Sequence, residues 1–84
     1  MTPEEIKTIL MDGLENAEII ADGDGSHFQV TVVSNQFDGL RPVQRQQLVY
    51  SHLNDHISSG AVHALGIKAY TEVEWQSAKK LQVG

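Results

Sequence analysis

Apolar residues recur at two different periods along this chain, and the switches between them mark its elements. Ile6, Ile9, Leu10 and Leu14 follow one another at helical spacing. Ahead of them, Thr2-Pro3-Glu4-Glu5 carries three start signals. Thr2 is an N-cap hydroxyl, Pro3 suits the first helical position, and Glu5 closes a capping box. Gly13 supplies a stop, so a helix is expected over roughly 3–13. The period then drops to two. Phe28, Val30 and Val32 alternate with Gln29 and Thr31, which implies a strand over 27–34 with one buried face. A first strand over 17–21 precedes it, and Asp22-Gly23-Asp24-Gly25-Ser26 between them is a hairpin loop. Phe37-Asp38-Gly39-Leu40 is a turn, short and helical, before Pro42.

Helical spacing returns over 41–58. Val43, Val49, Tyr50, Leu53 and Ile57 project within an arc of about 120°. Gln46 falls near the middle of that arc and is expected to face inward as a structural hydrogen-bonder. Ser58-Ser59-Gly60 breaks the helix, and Val62 to Tyr70 forms a third strand. Thr71-Glu72-Val73-Glu74 is a second capping box, opening a last helix with Trp75 and Ala78 on its inner face and a frayed end at 82–84.

The first two strands pair as an antiparallel hairpin. A helix joins the second to the third, which favours parallel pairing with a right-handed crossover. The expected fold is α+β: a three-stranded mixed sheet with helices on one face and the other face relatively open. Eighty-four residues make a single domain, 1–84, with an ordered core over about 3–80.

Composition narrows the chemistry. An apolar fraction of 40% and a charged fraction of 20% are those of a folded globule. With no cysteine, disulfides, all-thiolate metal sites and a catalytic thiol are ruled out. The formal charge is −5, from six Lys+Arg against eleven Asp+Glu, which argues against general affinity for a phosphate backbone. The acidic N-terminus is unlike a signal peptide and no apolar run approaches membrane-spanning length, so the expected address is the cytosol, with no membrane partner. Neither a nucleophile elbow nor a paired-carboxylate motif occurs, and so small a domain favours a shallow surface site over a closed pocket. An enzyme is not expected. Asp22-Gly23-Asp24-Gly25 opens like a calcium loop but has no glutamate at the required spacing, and reads as a turn.

Two histidines open the second and third strands, His27 and His63. Parallel neighbouring strands lie about 5 Å apart, so both imidazoles can converge at one sheet end. Strand parity works against this, because His27 shares its face with Gln29 and Thr31 while His63 shares its own with Leu65 and Ile67. The alternative is a core-edge His63 with satisfied hydrogen bonds and a solvated His27.

Gly25-Ser26-His27-Phe28, Phe37-Asp38-Gly39-Leu40, Arg45-Gln46-Gln47-Leu48-Val49-Tyr50, Val62-His63-Ala64, Tyr70-Thr71 and Glu74-Trp75 stand in an order that resembles the BolA family, its IbaG-like branch most. The similarity runs from about residue 4 to 80. It implies the fold α-β-β-α-α-β-α with type II KH-like topology. It also implies a partner, a monothiol glutaredoxin, with which such proteins share a [2Fe–2S] cluster. Glutaredoxin and glutathione then supply thiolates, the histidine matching His63 supplies a ligand, and His27 matches a second ligand from the hairpin. Mixed thiolate and imidazole ligation raises the reduction potential over all-thiolate ligation. Without cysteine the chain needs a thiolate-bearing partner to hold such a cluster. One position departs from the pattern: Gln46 stands where most BolA-like sequences have histidine.

A rival reading lies on the long helix. Arg41, Arg45, His52 and His56 project within about 60° of one another, a ridge that gains charge as pH falls toward 6. Lys68, Lys79 and Lys80 could extend it. The family resemblance also implies transcriptional regulation, often stress-related, and nucleic-acid binding on this ridge is the alternative function. Against it stand the net charge and the lack of a Gly-x-x-Gly backbone clamp. Homodimerisation is open.

Overall fold

The computed structural model describes residues 2–14, 16–24, 27–58 and 64–82, and for 24, 55–58, 64, 81 and 82 the backbone alone. Helix α1, Pro3–Gly13, starts where its signals stand: Thr2 is the N-cap, and its hydroxyl oxygen accepts from the Glu5 N–H at 3.2 Å. Ile6 and Leu10 are fully buried along its inner stripe.

Strand β1, Glu18–Asp24, pairs antiparallel with β2, His27–Val33, from Glu18↔Val33 to Asp24↔His27. Pairing therefore continues through Asp22, Gly23 and Asp24, which the sequence assigned to the loop. Gly23 explains the extension. It faces Phe28 across the pair, and the Phe28 side chain occupies the space a Cβ at 23 would need. Only 25 and 26 separate the strands.

After β2, buried Ser34 caps a 3-10 turn, Asn35–Phe37, by accepting the Gln36 N–H on its hydroxyl oxygen at 3.2 Å. Phe37 fills the core, and Gly39 takes the left-handed conformation (φ 80°) that glycine adopts without strain. Helix α2, Pro42–Ser58, buries Val49 and Leu53 completely. Gln46 does not face inward: it is exposed, and Val43 is 59% exposed. A helical projection assumes one face is covered along its whole length, whereas here the start of α2 lies off the core.

Strand β3, Ala64–Tyr70, runs parallel to β2 from His27↔Ala64 to Val33↔Tyr70, giving the sheet order β1-β2-β3. Val62 and His63, expected as the start of this strand, lie outside the described residues. Helix α3, Glu72–Gln82, opens on a complete capping box: Thr71 Oγ1 accepts the Glu74 N–H at 3.3 Å, and Glu74 Oε1 accepts the Thr71 N–H at 2.8 Å.

Helices α1 and α2 cover the expected face, packing Ile6, Leu10, Val49 and Leu53 against Ile19, Phe28, Val30 and Val32. Helix α3 departs from that layering. Trp75 is buried beside Tyr70, ring centroids 5.4 Å apart, and shares a crevice with Glu18 and Val33. Glu18, Val33 and Tyr70 form one row across the sheet and alternate to the face away from Val32 and Ala69. Trp75 thus covers one end of the second face. Toward the other end, Ile20, Gln29, Gly66 and Lys68 remain exposed.

Candidate functional site

That uncovered end holds His27. The residue begins β2, is exposed, and by alternation shares its face with Gln29. Beside it lies a shallow, open depression of about 450 Å³, lined by Asp22, Gly23, His27, Phe28, Gln29 and Gly66. Gly66 keeps the depression flat, because a Cβ there would already touch the Gln29 side chain at 3.5 Å. Asp22 Oδ1 accepts the Gly23 N–H at 2.8 Å, which steadies the end of β1.

The register partner of His27 is Ala64, the residue that follows His63 in the chain. His63 itself lies outside the described residues. Among the described residues, no three of His, Cys, Asp or Glu gather as a metal-binding group.

The basic ridge on α2 is not assembled as the helical projection implied. Arg45 is consumed by the fold, with a side chain only 13% exposed. Its Nε donates to Leu40 O at 3.0 Å, and Nη1 donates to Ala69 O at 3.2 Å and to Glu74 Oε1 at 2.6 Å. The Arg45 hydrogen bond, with that from the Thr71 N–H, holds the Glu74 carboxyl below its ordinary range. His52 is half-buried with its ring over Gly13, where a Cβ would overlap it. Arg41 is exposed, and so is Lys68, whose side chain alternates to the uncovered sheet face. The side chain of His56 is outside the described set.

Sequence reasoning missed the Arg45 clamp. The Thr71–Glu74 capping box pointed to where Glu74 would sit, but no local signal ties it to a cation 29 residues away. It also missed a crevice of about 190 Å³ between α2 and β3, where exposed Gln46 stands with Arg45, Ile67, Lys68 and Tyr70.

A three-stranded mixed sheet bearing two helices on one face and a capping helix at one end of the other defines an α+β domain. The family model for BolA-like protein matches residues 3–74. The chain belongs to the BolA family, in its IbaG-like branch. It is 46% identical over 81 residues to the acid stress protein IbaG of Escherichia coli K12, covering 96% of each chain. It is also 46% identical over 74 residues to the DNA-binding transcriptional regulator BolA of Vibrio cholerae, covering 88% of this chain and 66% of the regulator. Among solved structures, a BolA homologue from Coxiella burnetii superposes with a TM-score of 0.82 at 38% identity, over 90% of this chain and 97% of the other. No described helix is long and apolar enough to cross a membrane.

Proposed function

We propose that this chain is a non-enzymatic partner of a monothiol glutaredoxin, with which it shares a [2Fe–2S] cluster for iron–sulfur trafficking or iron sensing. His63 and His27 are the ligands it offers, and glutaredoxin with glutathione supplies thiolates. The observation that carries the reading is the register pair His27↔Ala64, which joins an exposed imidazole to the residue next to His63. Adjacent strands are about 4.8 Å apart, a separation two ligands of one cluster can bridge. The shallow ground around His27 suits a ligand that a second protein must approach. When bound, the cluster would supply one-electron chemistry at a potential raised by imidazole ligation.

The test is a mixed reconstitution with a monothiol glutaredoxin, glutathione, iron and sulfide. The wild-type chain is expected to change the visible absorption from that of the glutaredoxin cluster alone, and His63→Ala to abolish that change while its apo fold persists. A variant complex with the wild-type spectrum overturns the assignment of His63.

The second reading, a nucleic-acid-binding, stress-related regulator, draws on the similarity to the Vibrio cholerae regulator and to the acid stress protein. It loses ground to the Arg45 clamp, which leaves Arg41, Lys68, Lys79 and Lys80 as its exposed cations among the described residues. Binding by so few cations would be weak and strongly reduced by salt.

A further inference from the structure

Among the described residues, strand β3 ends the sheet and pairs with β2 alone, so no described strand covers its other edge. Main-chain groups along a strand point alternately to its two sides. Tyr70 O accepts the Ser34 N–H at 2.9 Å, on the β2 side, so Ala64, Gly66, Lys68 and Tyr70 turn toward β2. Leu65, Ile67 and Ala69 then turn outward. Two α2 side chains bear this out: Tyr50 donates its hydroxyl to Leu65 O at 3.1 Å, and Arg45 Nη1 donates to Ala69 O at 3.2 Å.

These side chains block the edge at two points and leave a gap between them. Ile67 N–H and C=O, and the Ala69 N–H, face outward with no described residue bonded to them. The crevice lined by Gln46, Ile67, Lys68 and Tyr70 lies beside the gap.

We infer that this gap receives an extended segment of the cluster-sharing partner by strand addition, its main chain bonding to Ile67 and Ala69. The inference rests on the function proposed above. Strand addition draws affinity from main-chain hydrogen bonds and specificity from flanking side chains. Here exposed Lys68 favours an acidic flank. A fully open edge would also template pairing between copies of this chain, and the Tyr50 and Arg45 blocks confine it to a short stretch. The occupant follows from position. Ile67 is three residues along β3 from Ala64, the register partner of His27, about 10 Å of extended strand. A protein held there has its sulfur within reach of the same cluster. This chain has no cysteine, so the sulfur comes from the docked one.

Amide hydrogen exchange on the wild-type chain, alone and reconstituted with a monothiol glutaredoxin, glutathione, iron and sulfide, tests this. Exchange at Ile67 and Ala69 is expected to slow by about tenfold or more, with Gly66 and Lys68, already paired to β2, little changed. If the complex forms with its altered visible spectrum while Ile67 and Ala69 exchange as in the free chain, the edge is not the docking site and the ligand assignment stands. If no complex forms, both fall. Ile67→Pro removes an outward N–H without removing a ladder donor, and is expected to weaken association by about tenfold or more. Should that variant fail to fold, the wild-type exchange pattern still decides.

Discussion

Arg45 and Glu74 tie the second helix to the third across 29 residues of sequence, their closest atoms 2.6 Å apart. The Glu74 oxygen that accepts from Arg45 also accepts the Thr71 N–H at 2.8 Å, so one carboxylate closes the cap of α3 and anchors α2. Arg45 adds bonds to the carbonyls of Leu40 and Ala69. Arg45→Ala is expected to cost about 2 kcal/mol by leaving these acceptors without their donor. Arg45→Lys is expected to recover only part of that, since an ammonium cannot span three acceptors as a guanidinium fork does. Urea unfolding of the two variants checks both.

The same pair sets an acid response. Its partners lower the pKa of Glu74 from an ordinary 4.5, so in the acid range just below that value the unfolded chain binds more protons than the folded one. The stabilisation is present above 4.5 and is lost as pH falls through the folded value. Unfolding curves between pH 3 and pH 6 are expected to show this loss in the wild type and a weaker dependence in Glu74→Gln.

His52 and Gly13 are coupled sterically. Gly13→Ala favours the helix by up to about 1 kcal/mol in propensity but drives a methyl into the His52 ring. A double-mutant cycle with His52→Ala is expected to give a coupling of about 1 kcal/mol or more, because removing the ring relieves the overlap. Additive effects would show that the ring moves aside at no cost.

Exposed Arg41, Lys68, Lys79 and Lys80 are the described cations of that reading left to meet a phosphate backbone. Any DNA affinity should therefore show a log–log salt slope no steeper than about −4. Arg41→Glu/Lys68→Glu should weaken it and flatten that slope without the destabilisation expected at Arg45. Mobility shifts across a salt series measure both.

Much of the fold was legible because its signals are local. The start signals at Thr2 and Thr71 opened helices as written, and the Phe28–Val32 alternation marked the central strand. The reciprocal capping box closed at Thr71, whereas the Glu5 carboxylate bonded to the Thr2 hydroxyl instead of its N–H. What escaped was tertiary. The inward projection of Gln46 failed because the start of α2 lies off the core, and Trp75 reached the second sheet face because the chain turns there after Tyr70. The hairpin was longer than expected because Phe28 covers Gly23, a contact invisible to turn rules. Of the site, His27 could be placed at the sheet end from parity and pairing rules, while the loss of Arg45 to Glu74 could not be anticipated.

Whether both imidazoles reach the same iron is read most directly from nitrogen hyperfine couplings of the reduced cluster. The mixed complex would be prepared with isotopically labelled histidine in this chain only. Two strongly coupled labelled nitrogens are expected in the wild type and one in His27→Ala. A reduced cluster with no labelled nitrogen coupled to it would contradict ligation by this chain.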